Sequence, residues 1–335
     1  MHIRASYSLI ILLLATFVAG CSVSKDRFRL SGKFKHLHSA NIYIYSENGH
    51  DTIRVDGGKF VYEKKLSHPV ILTIQYPNFA EMKIVAEPGK ETKFSTDAAD
   101  LTQTKLSGTE ENELLSDFYY DTANKNEAEA RKAAEAFITK HPSTLAAEAV
   151  FRTYFAESVN PDAKRTLKLL NLIIKHQPHN ASLSNLAGRL LPYLRTAPGN
   201  KMPDFKVVSW EGDTITNKSF KDRYLLIYFW ATWQYESFQQ VRGLKNVVRP
   251  YGKRIGVICV NMDYNYRSFL NCVRRDSVPE YNVCEKAAWS SQLVRLLGVT
   301  QIPGNVIVSP EGEIVARDLE YSDLRRRVSS LLEQK

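Results

Sequence analysis

Positions 234 and 237 stand where an aromatic-rich apolar run gives way to a helical pattern, a place suited to nucleophilic chemistry. Residues 229–237 have the sequence FWATWQYES. A thiol at a helix N-terminus has a lowered pKa and reacts as the thiolate, but here the chain carries Gln234 and Ser237. The amide of Gln234 neither ionises nor attacks a disulfide, and a serine hydroxyl without an adjacent base is a very poor nucleophile. Dithiol exchange is therefore not predicted at this segment.

The four cysteines of the chain offer the remaining sulfur chemistry. Cys259 lies in an apolar run and is expected to be a small buried residue. Cys272 lies in a helical pattern and Cys284 in an extended stretch. These two could form a structural disulfide, or one of them could act as a catalytic thiol, and the sequence leaves these alternatives open. If Cys21 is lipidated, three thiols remain, so at least one stays unpaired unless it bonds another molecule.

The first residues of the chain predict a targeting segment. Arg4 gives a basic start, residues 9–17 form a short apolar run, and residues 18–21 (VAGC) match the lipobox of bacterial lipoproteins. The apolar run is too short for a transmembrane helix, which favours a signal peptide with lipidation at Cys21. Ser22 supplies no inner-membrane retention signal. We therefore expect a lipid-anchored protein of the cell envelope, on the outer membrane and facing the periplasm.

Composition and charge limit the classes of partner. The chain has 335 residues and a formal net charge of +9, so it is long enough for two or three globular domains. Its basic residues are scattered except for the three arginines at 325–327, which are expected to form a solvated helix face. No arginine-rich arm or lysine block alternates with aromatic residues, so nucleic acid is not an expected partner. The histidines of the helical spacer, His141, His176 and His179, lack metal-ligand spacing, and neither a metal nor another cofactor is predicted.

The pattern along the chain predicts five segments. They are a signal peptide (1–20), a lipidated N-terminus with a linker (21–27), a small antiparallel β domain (28–110), a helical spacer (111–197) and a final α/β domain (198–335).

In the β domain, the period-two pattern is typical of a small sandwich. The turns at residues 56–58 and 87–89 are both predicted to close hairpins. In the spacer, the apolar period becomes helical, and its last helix is expected to end before Pro192.

The β domain resembles a domain of unknown function that commonly precedes thioredoxin-like domains in Gram-negative envelope lipoproteins. The residues that carry this resemblance are Gly32, the turn at 57–60 (GGKF), and residues 106–109 (LSGT) followed by Asn112. No catalytic residues are known for that domain, so the resemblance implies a fold and no activity.

The final segment resembles the TlpA/ResA-like branch of the thioredoxin superfamily from about Lys201 to its end. Residues 202–205 (MPDF) are similar to the entry motif of that branch. Residues 224–230 form a continuous apolar run, as expected of a buried central strand, and residues 254–262 are predicted to form a second buried strand. A helix is predicted over 239–248, although Gly243 weakens it.

Residues 297–303 (LGVTQIP) resemble the segment that bears the family's cis-proline, and strands are predicted at 305–309 and 314–317. In the family this loop faces the redox pair and pairs with an extended substrate backbone. The resemblance implies a cis peptide bond at Pro303. The implied binding residues are Trp233, Gln234, Tyr235, Ile302 and Pro303. The chain departs from the family at both active-site cysteines and at Gly304, which replaces a frequent threonine and is expected to loosen the loop.

These observations favour a binding function for the final domain, in which the groove between Trp233 and Pro303 holds an extended peptide or an envelope protein without disulfide exchange. Glu236 and Asp263 are expected near this groove as solvated carboxylates. Two alternatives stay open. One is a thiol-disulfide oxidoreductase that uses Cys284 or Cys272, and the other is a structural protein that interacts through its β domain.

Overall fold

The computed structural model describes residues 23–47, 49–158, 162–276, 278 and 281–333. Cys21 and the predicted signal peptide lie outside the described residues. The described chain forms two compact units. The first unit takes the residues up to Asp162 together with Lys168–Leu183, and the second takes Ala163–Leu167 and the residues from Ser184 onwards. None of the described helices combines the length and the apolar character needed to span a bilayer.

Eight strands form one hydrogen-bonded sheet in the first unit. They are β1 (Arg27–Lys35), β2 (Ser39–Ser46), β3 (Gly49–Asp56), β4 (Lys59–Lys65), β5 (Val70–Gln75), β6 (Glu81–Ala86), β7 (Glu91–Asp97) and β8 (Asp100–Ser107). Their order is β6-β5-β2-β3-β4-β1-β7-β8, and neighbours are antiparallel except β1 and β7. Alternate residues such as Phe28 and Leu30 are fully buried, as the period of two requires. The predicted β domain is confirmed.

One of the two predicted hairpin turns is present. Asp56 pairs with Lys59 across Gly57 and Gly58, and both glycines have positive φ angles, as a two-residue hairpin turn demands. The prediction for residues 87–89 was wrong, because β6 and β7 are not neighbours in the sheet. The Gly89 N–H instead donates to the Arg27 carbonyl at 2.7 Å, which leads β7 into its parallel pairing with β1.

The segment after β8 is helical, as predicted. Its helices are α1 (Glu110–Thr122), α2 (Glu127–Lys140), α3 (Leu145–Phe151), which continues as a π-helical turn over Arg152–Ala156, α4 (Ala163–His176) and α5 (Ala181–Arg195). Asn112 of α1 is fully buried. Its side-chain amide exchanges hydrogen bonds of 2.9 and 2.7 Å with the backbone N–H and C=O of Val85 and donates to Thr92 at 2.9 Å. This asparagine therefore fixes α1 to β6 and β7.

Helix α5 extends beyond the predicted end. Pro192 lies inside it, and the helix continues to Arg195. Proline has no N–H to donate and usually interrupts a helix. Here Leu194 and Ala197 are buried beyond the proline, and the Thr196 hydroxyl donates to the Pro192 carbonyl at 2.7 Å. The apolar face that follows Pro192 thus keeps the last turn in place.

The second unit contains a five-stranded sheet with the order β13-β12-β11-β14-β15 and a separate hairpin of β9 and β10. The strands are β9 (Lys206–Val208), β10 (Thr214–Thr216), β11 (Tyr224–Trp230), β12 (Ile255–Asn261), β13 (Tyr281–Cys284), β14 (Gly304–Val308) and β15 (Ile314–Arg317). The helices are α6 (Tyr235–Val248), α7 (Tyr266–Asp276), α8 (Gln292–Leu297) and α9 (Tyr321–Glu333). Strands β11, β12 and β13 are parallel, whereas β14 and β15 are antiparallel to their neighbours.

Apolar clusters cover both faces of this sheet. One cluster contains Ile227 and Phe229 of β11 with residues of α8, and the other contains Tyr228 and Trp230 with residues of α6, α7 and α9. Because successive side chains of a strand point to opposite faces, a strand covered on both faces must be apolar throughout. This explains the uninterrupted apolar sequence of β11.

Candidate functional site

The site is built where β11 ends and α6 begins. Gln234 is the N-cap of α6, and its side-chain oxygen accepts the backbone N–H of Ser237. Such a bond satisfies one of the N–H groups that the first turn of any helix leaves unpaired. The helix begins at Tyr235, four residues before the predicted start. The prediction missed this start because glutamine is not among the usual capping residues.

Ser237 lies beneath this turn and is fully buried. Its hydroxyl accepts the Ala231 N–H at 3.2 Å and donates to the Gln234 carbonyl at 2.9 Å. Both hydrogen bonds join the serine to the backbone of the turn, and no basic side chain contacts its oxygen among the described residues. The two positions suited to a reactive pair are therefore used to hold the helix start together.

The two nearby carboxylates differ in their environment. Glu236 is exposed and accepts a hydrogen bond from Gln240 at 2.8 Å, as expected for a solvated carboxylate. Asp263 is only 2% exposed, so the prediction of a solvated group was wrong for this residue. Its Oδ1 accepts the backbone N–H of Thr232 at 2.9 Å. Asp263 thereby fixes the Ala231–Gln234 turn from the end of the neighbouring strand.

The Pro303 loop lies beside the same turn. Phe229 of β11 pairs with Gly304, the first residue of β14, and the Ile302–Pro303 peptide bond is cis. Gly304 is buried within the strand, and a side chain built on it would approach the Gln301 carbonyl to 3.0 Å, so this position is tightly packed. The looser loop expected from this glycine stays a prediction.

Four exposed aromatic side chains follow the carboxyl ends of the three parallel strands. Their exposed fractions are 60% for Trp233, 77% for Tyr235, 71% for Tyr264 and 44% for Trp289. The carboxyl ends of parallel strands lie at the same edge of a sheet, so these four residues all follow that edge. The sequence analysis did not identify Tyr264 or Trp289 as candidate site residues. Tyr264 comes two residues after the predicted strand 254–262, and Trp289 comes five residues after the end of β13.

The cysteines are poorly suited to nucleophilic chemistry. All three described cysteines carry free thiols, so the Cys272–Cys284 disulfide that the sequence left open is not formed. Cys259 is fully buried, as expected, and burial raises its pKa. Burial, together with the carboxylate of Asp276, raises the pKa of Cys272 to about 12. Burial also raises the pKa of Cys284, whose thiol donates to the Asp263 carbonyl at 3.6 Å.

These pKa shifts predict slow thiol reactions at neutral pH. A raised pKa keeps the neutral thiol dominant at pH 7, and the reactive thiolate then forms only as the pH rises above the ordinary range for cysteine. In a Cys21→Ser background, Ellman's reagent should modify the folded protein more slowly than the protein unfolded in guanidinium, and the rate should still be rising at alkaline pH. A folded-state thiol that reacts at pH 7 as fast as in the unfolded chain would contradict this prediction.

The described residues contain no group of three or more His, Cys, Asp or Glu side chains that could hold a metal ion.

Comparison with known proteins agrees with this geometry. Residues 222–314 match the family model described as thioredoxin-like. The fold of the second unit is thioredoxin-like. Residues 28–115 match the model of a domain of unknown function, DUF4369, and no curated protein sequence matches the chain significantly.

Solved structures of several bacterial proteins are similar to part of this chain. A thiol-disulfide oxidoreductase from Bacteroides fragilis is 25% identical, with a TM-score of 0.36, over 40% of this chain and 100% of its own. The thioredoxin domain of a thiol-disulfide oxidoreductase from Bacteroides vulgatus is 20% identical, with a TM-score of 0.38, over 41% and 98%. A thioredoxin-like protein from Bacteroides caccae is 13% identical, with a TM-score of 0.45, over 66% and 94%.

Proposed function

We propose that this chain is a lipid-anchored cell-envelope protein whose thioredoxin-like domain binds an extended peptide segment without exchanging disulfides. The proposal rests on a difference between neighbouring side chains of one turn, two of which are hydrogen-bonded within it while two others are exposed. Gln234 and Ser237 are occupied in holding the start of α6, while Trp233 and Tyr235 expose most of their surface. Exposed tryptophan and tyrosine side chains are the residues that contribute most to binding energy at protein interfaces.

The Pro303 loop adds the backbone groups that an extended peptide needs. Thr300, Gln301 and Ile302 lie outside helices and strands, and their backbone N–H and C=O groups make no hydrogen bond to other described residues. A peptide that runs along this loop can pair with such groups as an added strand does, while its side chains contact the neighbouring aromatic rings.

Catalysis by one of the native thiols has weaker support. Cys272 and Cys284 have raised pKa values, whereas a nucleophilic cysteine needs a lowered one. Cys272 lies within α7 and Cys284 at the end of β13, so neither begins a helix whose dipole would stabilise a thiolate.

Peptide selection tests the binding proposal. A random peptide library displayed on phage should yield peptides that bind the protein saturably and change its tryptophan fluorescence. Trp233→Ala should weaken these peptides by about thirtyfold, which corresponds to about 2 kcal/mol for a central aromatic contact. Fluorescence anisotropy of the labelled peptides measures the dissociation constants.

Two exposed tyrosines provide a matched pair of variants. Tyr235 lies at the site, and Tyr120 lies in α1 of the first unit with a comparable exposure of 71%. Tyr235→Ala should weaken the selected peptides, and Tyr120→Ala should leave their binding unchanged. The proposal fails if no peptide is selected, or if the selected peptides bind Trp233→Ala and Tyr235→Ala as tightly as the original protein.

The lipid anchor is tested through Cys21, which the lipobox pattern assigns as the acylated residue. Cys21→Ala should abolish fatty-acid labelling and leave uncleaved precursor, because Cys21 is the cysteine of the lipobox and alanine has no thiol to form the thioether link to the lipid. Metabolic labelling with a radioactive fatty acid, followed by fractionation of the envelope, measures both effects. Ser22→Ala serves as the control and should be labelled normally. A Cys21→Ala protein that still carries the label would show that the assignment is wrong.

A further inference from the structure

Basic side chains are concentrated around the C-terminal half of α6. Residues 237–262 contain five lysines and arginines and no carboxylate. They are Arg242, Lys245, Arg249, Lys253 and Arg254, all of them exposed. Helix α9 packs near α6 and contributes Arg325 and Arg326, which are also exposed. Arg242 forms an ion pair with Asp276 at 3.5 Å, and the other cations give this part of a basic protein an excess of positive charge.

A groove of about 480 Å³ lies between the end of α6, the turn at Arg249–Arg254 and α9. The polar side chains that line it are Asn246, Tyr251, Ser322, Arg325, Arg326 and Ser329. The four residues from α9 are spaced at i, i+3, i+4 and i+7, so they occupy one face of that helix. This spacing brings two guanidinium groups and two hydroxyl groups to the same wall.

The hydrogen bonds in the groove leave one arginine unpaired. The Tyr251 hydroxyl donates to Ser329 at 3.1 Å, and the Ser329 hydroxyl donates to Glu333 at 2.6 Å. Arg326 forms an ion pair with Asp323, whereas Arg325 has no hydrogen bond or ion pair with any described residue. The two carboxylates neutralise part of the positive charge, and the guanidinium of Arg325 keeps its donors available.

We propose that this groove binds the phosphoryl group of a phosphate ester. A guanidinium offers paired N–H donors that match two oxygens of a phosphoryl group, and such charge-assisted pairs are among the stronger hydrogen bonds in proteins. Val247 and Pro250, which also line the groove, give an apolar surface for the organic part of the ester. The phosphoryl group belongs either to a small soluble ester or to a phospholipid head group.

This site does not depend on the peptide-binding proposal. The two sites lie at opposite ends of α6, whose 14 residues span about 20 Å at a rise of about 1.5 Å per residue. Variants in one site can therefore be tested without altering the other.

Two probes separate the sources of the phosphoryl group. Calorimetric titration with glycerol 3-phosphate tests a soluble ester, and sedimentation with vesicles made of equal parts phosphatidylglycerol and phosphatidylcholine tests a lipid head group. Saturable binding of either probe supports the proposal and identifies the source. The Arg325→Ala/Arg326→Ala variant should bind that probe at least about tenfold more weakly, because each charge-assisted hydrogen bond contributes substantially to binding.

A second pair of arginines provides the matched control. Arg267 and Arg274 of α7 are exposed, and Arg267→Ala/Arg274→Ala removes the same charge away from the groove. This variant should bind normally, and Arg325→Lys should show an intermediate loss because it keeps the charge and loses the paired donors. All these positions are exposed, so the variants should fold. The proposal is overturned if neither probe binds saturably, or if both double variants lose the same affinity, which would indicate general charge attraction.

Discussion

The double substitution Gln234→Cys and Ser237→Cys is expected to convert this domain into a disulfide reductase. Position 234 is the N-cap of α6, and position 237 is the third residue of the helix. A sulfur at position 234 would replace the amide oxygen that now accepts the Ser237 N–H, so the helix start would stabilise its thiolate. Lowering a thiol pKa from about 8.5 to about 7 increases the thiolate fraction at neutral pH more than about tenfold.

Insulin reduction in the presence of dithiothreitol measures this gain. The original protein should not exceed the reagent blank, and each single variant should lack turnover because dithiol exchange needs an attacking and a resolving sulfur. Oxidation of the double variant should remove two titratable thiols, while Cys259, Cys272 and Cys284 give a constant background. If the double variant folds but its new cysteines neither pair nor reduce insulin, positions 234 and 237 do not have the geometry described here.

The buried strands of the second unit could be predicted closely from the sequence. The predicted bounds 224–230 and 314–317 are those of β11 and β15. For β11 this success has a simple physical cause, because a strand covered on both faces requires a continuous apolar run and the chain contains few such runs. Local composition alone was sufficient there.

Features that depend on distant partners could not be predicted. Asp263 can be buried because its carboxylate accepts a hydrogen bond from the Thr232 N–H. These two residues are 31 positions apart in the sequence. The sequence predicts only that Gly243 weakens α6, but a side chain built on it would approach the hydroxyl of Tyr321 to 2.4 Å, so the glycine permits close packing of α9. In both cases the relevant neighbour is defined by the fold and not by adjacent sequence.

The same distinction explains the outcome at the turn of residues 87–89. Its proline and glycine correctly indicate a change of direction. They do not specify which strand β7 will pair with, and that choice is made by hydrogen bonds to β1. Turn residues therefore predicted the location of a bend and not the topology that follows it.

Gly298→Ala is expected to cause a large loss of stability in the second unit. Gly298 ends α8 in the left-handed conformation, with φ 61° and ψ 41°, which costs an alanine about 1–2 kcal/mol. A Cβ atom there would also lie 2.3 Å from the backbone nitrogen of Tyr193 and 2.8 Å from its Cα atom. Because backbone atoms cannot move aside as a flexible side chain can, overpacking should add about 1–3 kcal/mol.

Gly312→Ala separates the two contributions. Gly312 also has a positive φ, of 80°, but a Cβ atom on it would meet no atom within 4 Å, so only the conformational cost should appear. Urea unfolding can be followed by fluorescence, since all four tryptophans, at positions 210, 230, 233 and 289, lie in the second unit. Gly298→Ala should lower the free energy of unfolding by about 2–5 kcal/mol and Gly312→Ala by about 1–2 kcal/mol. Equal losses for the two variants would show that α5 does not pack against the end of α8 as described.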